Sequence, residues 1–377
     1  MPRALQWNRR HVLESIAAST LLGAASPTFA ENGGFTAADY GRATIIDCQG
    51  GFGAPSKETL DAIGRSGLTA VSTTIGVVGN GPGRFESVVS GVAGYSGAID
   101  KFPDHFLLIR RASDLKEAKR SNRTGVIFNL QDTSALEGDL SRIEELKGLG
   151  IRVIQLTYNK RNLCGDGCLE PANEGVSEFG RQVVNELGAQ KIVLDLSHGG
   201  ERTILEAVTA AKAPPIVSHT GCRELVNNPR NVRDRVMRAI ADKGGVIGIY
   251  FMSYLSSGIG DKPRNPTRED LFRHLDHAIN VCGEDHVGIG TDGSDTPVVL
   301  NDETRAAIKK HYEDRVAQGV VTPGDGPDIL NFIPEYNVPE RFLPLGFDLS
   351  KRGWSVARIE KILGGNFARV FDEVWDL

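Results

Sequence analysis

The sequence predicts a single (β/α)8 barrel, and two observations support that fold class. Short apolar, β-branched runs alternate along the 377-residue chain with longer segments of helical periodicity. The connections between them are short, which favours parallel strands joined by crossover helices. No Gly-x-Gly-x-x-Gly opens a helix after the first strand, which argues against a dinucleotide-binding fold. About eight strand–helix repeats are what a (β/α)8, or TIM, barrel requires.

Nine runs have the length and the apolar or β-branched composition of buried strands. They lie at 43–49, 68–74, 105–109, 125–131, 153–158, 192–198, 216–219, 246–251 and 287–291. Helices are predicted where apolar residues recur every three or four positions. These segments include 139–149, 177–187, 202–211, 231–243, 268–282, 304–318 and 355–371. The segment 324–344 is rich in Pro and Gly, and we expect it to wrap the barrel as an irregular loop.

The N-terminus has the order of regions found in a secretory signal. Arg9 and Arg10 precede a mildly apolar stretch at 16–25, and the small-residue site Thr28-Phe29-Ala30 follows. The paired arginines suggest the twin-arginine type. The apolar stretch is too short to span a bilayer, and a buried N-terminal helix is the alternative. We expect residues 1–30 to be a signal peptide cleaved after Ala30, and 31–377 to form one periplasmic or secreted domain.

The charge of the chain excludes one class of partner. The formal net charge is −5, and it becomes −7 without residues 1–30, which carry three arginines and one glutamate. No basic stripe is present, so nucleic acid is not an expected partner. No other stretch is long and apolar enough for a transmembrane segment.

The cysteine content does not predict a disulfide framework. The five cysteines are too few and too scattered: Cys48, Cys164, Cys168, Cys222 and Cys282. Cys164 and Cys168 share a glycine-containing loop, where they could pair in an oxidising compartment. A Cys-x3-Cys spacing also hints at metal binding, but no further thiol lies nearby.

Two of the predicted strands end in a histidine. The run Val193-Leu194-Asp195-Leu196-Ser197-His198 and the run Pro215-Ile216-Val217-Ser218-His219 are separated by one helical segment. They therefore predict neighbouring parallel strands with an imidazole at each C-terminal end, where barrel enzymes carry their chemistry. Two imidazoles brought together there are most simply explained as metal ligands. Two hydrogen-bonded histidines at strand ends are the alternative.

Other strand ends add polar side chains to the same end of the barrel. They are Gln49, Gln131, Tyr158 and Asp292. Asp292 follows the glycine-rich run Gly288-Ile289-Gly290-Thr291, which would let a carboxylate project into the barrel mouth. It could bind metal or act as a general base. An Asp beside a Gly is otherwise a common turn residue.

Several segments resemble the membrane (renal) dipeptidase family of metallopeptidases, within the amidohydrolase-like barrels. Leu156-Thr157-Tyr158-Asn159 is similar to the family's Leu-Thr-His-Asn. The most specific matches are Asp195-Leu196-Ser197-His198, Ser218-His219, Asn228-Pro229-Arg230-Asn231, Lys243-Gly244-Gly245-Val246-Ile247-Gly248, Asp285-His286-Val287-Gly288-Ile289-Gly290-Thr291-Asp292 and Lys361-Ile362-Leu363-Gly364-Gly365-Asn366-Phe367. The resemblance implies a hydrolase that cleaves dipeptides or related small amides with metal-activated water.

The chain departs from the family pattern at the metal site. The family's first strand ends in Asp-Gly-His-Asn-Asp, where the His and the last Asp bind one of two zinc ions. The matching run here is Asp47-Cys48-Gln49-Gly50-Gly51, so both ligands are missing. The family's bridging glutamate falls on Gln131, and its substrate-facing histidine falls on Tyr158. We therefore expect one zinc ion rather than two.

The resemblance also assigns roles to the residues that remain. His198 and His219 would bind the ion, with the Gln131 amide oxygen or Asp292 completing the ligand shell. Asp292 would take the proton from water and return it. Tyr158 would face the substrate and donate a hydrogen bond to the developing oxyanion.

Arg230 would bind the free carboxylate of a dipeptide through its planar fork of donors. The alternative is that Asn-Pro-Arg-Asn is a turn in which Asn231 caps the next helix.

Two other functions fit the same barrel. One is a metal-independent or differently specific enzyme, and the other is a catalytically silent barrel that binds peptide-like ligands. The expected partner is a small peptide in each case. The oligomeric state stays open, with a homodimer as one alternative.

Overall fold

The computed structural model describes residues 34–375, and its centre is a parallel sheet of ten strands. The strands are β1 (Ile46–Gly51), β2 (Ala70–Thr74), β3 (Phe106–Leu108), β4 (Thr124–Leu130), β5 (Ile151–Gln155), β6 (Val193–Asp195), β7 (Ile216–Thr220), β8 (Val246–Ile249), β9 (Val287–Ile289) and β10 (Gly293–Ser294). Each of the nine predicted strands is present, with boundaries that differ by a few residues.

The sheet closes into a barrel. Neighbouring strands follow the order β1-β2-β4-β5-β6-β7-β8-β9, and β10 pairs with β1 through Gly50 and Gly293. Strands β9 and β10 together form the eighth strand of the barrel, which is interrupted between Ile289 and Gly293. Within this interruption the Asp292 amide donates to the Gln49 carbonyl at 2.7 Å. The prediction of a (β/α)8 barrel is confirmed. Strand β3 is an addition, because it pairs with the N-terminal half of β4.

Helices surround the barrel, and most of them bury one apolar stripe. They are α1 (Ala37–Arg42), α2 (Lys57–Ser66), α3 (Arg84–Lys101), α4 (Ala112–Ser121), α5 (Arg142–Gly148), α6 (Glu178–Ala189), α7 (Glu201–Ala210), α8 (Asp234–Asp242), α9 (Arg268–Cys282), α10 (Asp302–Ala317), α11 (Phe342–Lys351), α12 (Val356–Glu360) and α13 (Asn366–Trp375). Helix α8 is typical, since it buries Val236, Met237 and Ile240. The predicted irregular segment 324–344 holds one short 3₁₀ turn and the start of α11.

The C-terminal segment closes the N-terminal end of the barrel. Phe367 and Phe371 of α13 pack in one buried cluster with the first residues of the strands, such as Ile46 and Val246. The prediction of one helix over 355–371 is wrong, because the helix breaks at Gly364. A Cβ there would lie 2.6 Å from the Thr44 carbonyl oxygen and from the Ile46 amide nitrogen. This contact with the chain before β1 turns the aromatic face of α13 into the barrel.

Two glycines let β7 sit close to β8 and to the segment after β9. A Cβ on Gly248 would lie 1.9 Å from the Ser218 carbonyl oxygen, and one on Gly290 would lie 2.1 Å from it. Both distances are far below a van der Waals contact. The backbone that carries His219 is therefore held between two positions that only glycine can occupy without displacement.

The predicted signal peptide, residues 1–30, lies outside the described residues. Across residues 34–375, none of the helices combines the length and the apolar character that a membrane crossing needs.

Candidate active site

The two predicted histidines lie together at the C-terminal end of the barrel. His219 belongs to β7, and His198 follows β6 in a left-handed conformation with φ 61°. Both side chains are buried, and their Nε2 atoms are 2.9 Å apart. The prediction that the two strands bring the imidazoles together is confirmed.

The outer nitrogen of each ring is held by a hydrogen bond. His198 Nδ1 is 2.6 Å from Asn159 Oδ1, and an amide oxygen only accepts, so Nδ1 carries the proton. His219 Nδ1 is 2.8 Å from Ser218 Oγ. That hydroxyl donates its proton to Asp195 Oδ2 at 2.5 Å, so His219 Nδ1 is also the donor in its bond. The network therefore leaves a bare lone pair on each Nε2.

The histidine pair has the chemistry of a metal-binding site. Burial, and secondarily the charge of Arg230, lowers the pKa of both His198 and His219 well below the usual value, which keeps the rings neutral. Two lone pairs 2.9 Å apart repel each other unless a cation lies at the site. Neutral imidazoles whose Nδ1–H groups are fixed by a second layer of hydrogen bonds are the usual ligands of zinc. His198 and His219 therefore fit one zinc ion.

Asp292 and Tyr158 lie against this pair. Asp292 has a left-handed backbone with φ 57°, and its Oδ2 is 4.0 Å from His219 Nε2. Burial raises the pKa of the Asp292 carboxyl to about 6, although Arg230 and Arg315 oppose the shift. The Tyr158 ring stacks on His198 with 4.0 Å between ring centroids. Burial also raises the pKa of the Tyr158 hydroxyl, which keeps it a proton donor.

Arg230 is buried near the same site with spare hydrogen-bonding capacity. Its residue is 3% exposed, its guanidinium lies 5.8 Å from the Tyr250 ring, and its Nη2 has no hydrogen-bond partner among residues 34–375. A buried guanidinium with a free donor fits an anionic ligand such as a carboxylate. The cap alternative for Asn231 is wrong. Its amide donates to the carbonyls of Val226 and Tyr254, and α8 begins three residues later.

The end of β1 holds a closed ring of neutral side chains. Gln49 Nε2 donates to Thr74 Oγ1 at 3.0 Å, and that hydroxyl donates to Asn129 Oδ1 at 3.2 Å. Asn129 Nδ2 returns a bond to Gln49 Oε1 at 3.2 Å and donates a second one to Ser72 Oγ at 2.8 Å. We call Gln49, Thr74 and Asn129 the amide ring. It contains no charge and satisfies its own polar atoms, so it offers nothing that would draw a cation.

Comparison with known proteins assigns the chain to a family. Residues 67–308 match the family of membrane dipeptidases, peptidase family M19. The chain belongs to the membrane dipeptidase family. A dipeptidase of Claviceps purpurea, tcpJ, is 27% identical over 281 residues, which are 74% of this chain and 58% of that protein. The match to dipeptidase verJ of Clonostachys rogersoniana likewise covers 62% of its length, so the chain spans about three fifths of these relatives.

Two bacterial proteins match over more of their length. An uncharacterised Klebsiella pneumoniae protein from the pqqA 5′ region is 26% identical over 70% of this chain and 87% of its own. The crystal structure of an amidohydrolase from Pseudomonas aeruginosa superposes with a TM-score of 0.77 and 28% identity. That superposition covers 90% of this chain and 99% of the other. The fold shared with that amidohydrolase thus extends beyond residues 67–308, which the family model matches.

Gln131 follows β4, at the same end of this membrane dipeptidase barrel as the histidines, and its carbonyl oxygen accepts a hydrogen bond from Gln155. Its role as a metal ligand stays a prediction. The neighbouring carboxylate, Asp132, is engaged elsewhere. It accepts from the Gly79 amide at 2.6 Å and from the Ser134 amide at 2.9 Å. Asp132 therefore shapes a loop and does not replace the family's glutamate.

The cysteine pairing considered above is absent from the described site. Cys164 and Cys168 are both free thiols with different partners. Cys164 Sγ is 3.1 Å from Thr133 Oγ1, whereas Cys168 Sγ is 3.4 Å from Asn159 Oδ1. Cys168 thus lies behind His198, a position that its spacing from Cys164 did not indicate.

Sequence reasoning missed the residues that orient the histidines and one that reaches the site from afar. Asn159 and Ser218 lie within matched motifs, and their polar types beside candidate ligands were the available signal. Arg315 had no such signal, because it comes from α10 and reaches Tyr254 and Asp325 at 3.4 and 3.0 Å.

A second group of ligand-type side chains lies near the surface and consists of Glu224, Asp234 and His277. Arginines pair with both of its carboxylates.

Proposed function

We propose that the chain is a dipeptidase that hydrolyses dipeptides or related small amides with one zinc ion. The observation that supports this most directly is the pair of bare Nε2 atoms of His198 and His219, each fixed by a hydrogen bond on the opposite nitrogen. A bound zinc ion supplies Lewis acidity to a carbonyl oxygen and to a water molecule.

The other side chains bind the substrate and move protons. Arg230 binds the substrate's carboxylate through its free donor. Asp292 accepts the proton of the attacking water and gives it to the departing amine, so that one water is consumed for each peptide bond cleaved. The Tyr158 hydroxyl donates a hydrogen bond to the carbonyl oxygen as negative charge develops on it.

One ion rather than two follows from the residues on the opposite side of the mouth. The amide ring carries no charge, and Gly51 replaces a carboxylate of the family pattern. A second cation would therefore lack the two carboxylates that the family pattern places there, and it would be repelled by the first. The Gln131 amide oxygen is the third protein ligand in this proposal, as catalytic zinc usually has three.

Metal analysis combined with a dipeptide assay tests the proposal. The wild-type protein should hold about one zinc per chain and cleave an unmodified dipeptide in a chelator-sensitive way. His198→Ala should lose the ion, and kcat/KM should fall by about 100-fold or more, the scale of removing one electrostatic group from an active site. His105→Ala, at a histidine distant from the site, should change neither.

Three outcomes contradict the proposal. If the protein holds no zinc and added zinc gives no turnover, the metallodipeptidase function is wrong. If turnover is unchanged by chelator and by His198→Ala, the enzyme is independent of metal. Dipeptide binding that needs Arg230 but never leads to cleavage would identify a silent binding barrel.

A further inference from the structure

Helix α10 covers the mouth of the barrel but contributes nothing to the core. None of its sixteen residues is buried. The half-buried positions are Thr304, Ile308, Tyr312 and Arg315, which recur at helical spacing and so share one face. A helix of a barrel normally turns its less exposed face towards packed side chains. In this helix the face borders a cavity instead.

That space is a cavity of about 490 Å³ between α10 and the barrel mouth. Its floor includes Tyr158 and Asp292, so it is continuous with the proposed catalytic site. The volume falls in the range of roughly 300–1,000 Å³ that is common for small-molecule sites.

The walls of the cavity are largely apolar and come from separate parts of the chain. The apolar lining residues are Met252, Val298, Ala307, Ile308, Ile329 and Phe332. They lie after β8, before and within α10, and in the irregular segment that follows it. Apolar surface on opposite walls stays exposed to water until a ligand covers it, and covering it is favourable by about 25 cal/mol for each Å².

The cationic residue of the cavity is already neutralised by an ion pair. Arg315 pairs with Asp325 at 3.0 Å, and Asp325 also accepts from Tyr254 at 2.6 Å and from the Thr322 amide at 2.8 Å. Arg315 therefore anchors the C-terminal part of α10 to the segment beyond it. It leaves no free positive charge for a second acidic group of a ligand.

We propose that this cavity binds the side chain of the substrate and selects dipeptides with a large apolar or aromatic residue. The proposal rests on the dipeptidase function inferred above, because it concerns the same site. Ile308 on α10 and Ile329 on the facing wall contact that side chain. A glycine residue at the same substrate position would leave both walls uncovered, and an acidic residue would place a carboxylate against apolar side chains at the cost of its hydration.

The test compares kcat/KM across two dipeptide series, X-Ala and Ala-X, with Gly, Leu, Phe and Glu as X. In one series the wild-type protein should prefer Leu and Phe to Gly and Glu by about tenfold or more, the scale of filling an apolar pocket. Ile308→Asp and Ile329→Asp should each abolish that ratio. The matched control is Ala306→Asp, which places the same charge on the exposed side of α10 and should preserve the ratio.

The outcomes distinguish a failure of the proposed pocket from a failure of the proposed dipeptidase function. A wild-type protein without preference in either series overturns the pocket, as does a loss of the ratio in Ala306→Asp equal to that in Ile308→Asp. If no dipeptide is cleaved, the proposed function fails and binding replaces turnover as the measurement. Calorimetry that shows tighter binding of Phe-Phe than of Gly-Gly then supports the pocket, and equal binding overturns it.

Discussion

Single hydrogen bonds decide what the two active-site histidines can do. Asn159 fixes the proton of His198 on Nδ1, and Ser218, through Asp195, does the same for His219. A histidine with its proton on the other nitrogen would present a donor to the site in place of a lone pair. The hydrogen-bond partner of Nδ1 therefore decides whether a histidine at a strand end presents a metal-ligating lone pair or an N–H donor to the site.

Another buried histidine, His274, makes stability depend on pH. The Cys222 amide donates to its Nδ1 at 2.8 Å, and Nε2 therefore donates to the Leu255 carbonyl at 3.1 Å. Burial lowers the pKa of His274 to about 3. The unfolded chain binds a proton near pH 6.5, whereas the folded chain does not. The stabilisation is complete above pH 6.5 and is lost as the pH falls towards 3, by about 2 kcal/mol at pH 5.

His274→Gln isolates this contribution, because its amide can accept from Cys222 and donate to Leu255 without titrating. Urea unfolding at pH 7 and pH 5 should show a loss of stability that is smaller in the variant than in wild type by about 2 kcal/mol. His105→Gln should keep the wild-type loss. An identical loss in His274→Gln and wild type would falsify this assignment, since other buried histidines contribute equally to both.

The side chains that could be predicted from sequence are those at strand ends. His198, His219 and Asp292 were found because each follows a short apolar run, and a barrel brings such positions together. The use of His274 could not be foreseen. Its bonds to Cys222 and Leu255 join parts of the chain that lie 52 and 19 residues away.

Among the elements, β1 departs most from the family pattern, and its departure is internally consistent. Gln49 takes part in the amide ring, Gly51 has no side chain, and Gln131 after β4 is neutral. Each change removes a charge or an imidazole from the same half of the mouth. A metal site lost by a single substitution would leave its other ligands unpaired, whereas here Gln49 is hydrogen-bonded on both sides, to Thr74 and to Asn129.

Restoring the three family residues should restore the second metal. In the variant Gln49→His, Gly51→Asp, Gln131→Glu, two negative charges and an imidazole return to one place, which offsets the repulsion between two cations. A Cβ on Gly51 would meet Thr73 Oγ1 at 3.0 Å, so the Thr73 side chain has to move by a few tenths of an ångström to admit the aspartate. Metal analysis should give two zinc ions per chain.

Gln49→His alone is the matched control, and it should still hold one ion. A folded triple variant with one ion would contradict the account, and near-ultraviolet circular dichroism shows whether the barrel is intact.

The element boundaries illustrate a limit of sequence reasoning. Continuous periodicity over 355–371 predicted one helix, but the break at Gly364 depends on contact with Thr44, more than 300 residues earlier.

At the scale of the whole molecule, the barrel was predictable and the path of the long segment over its mouth was not. Alternating strand and helix patterns determine the barrel, since each unit is local in sequence. The position of α10 depends on the Arg315–Asp325 ion pair and on tertiary contacts of the irregular segment. The pattern of 304–318 predicted a helix there, without showing that it would cover a cavity.

The predicted signal peptide leads to a prediction that can be tested in the cell. If residues 1–30 are a twin-arginine signal, the exported protein begins at Glu31, and replacing Arg9 and Arg10 by lysine keeps the full-length chain inside. Cell fractionation with intact-mass measurement checks both statements. Arg3→Lys, which lies outside the arginine pair, should be exported normally. A full-length Met1 chain in the exported fraction of the wild type would rule out cleavage.

The amide ring also makes part of the barrel mouth independent of the availability of zinc. An ion-based half-site keeps its shape only while the ion is present, so its geometry varies with the concentration of free zinc around the protein. Gln49, Thr74 and Asn129 hold the same region together with atoms that the chain itself carries. Half of the mouth is therefore assembled as soon as the barrel folds. With the one zinc ion proposed above, scarcity of metal would empty only the half that His198 and His219 define.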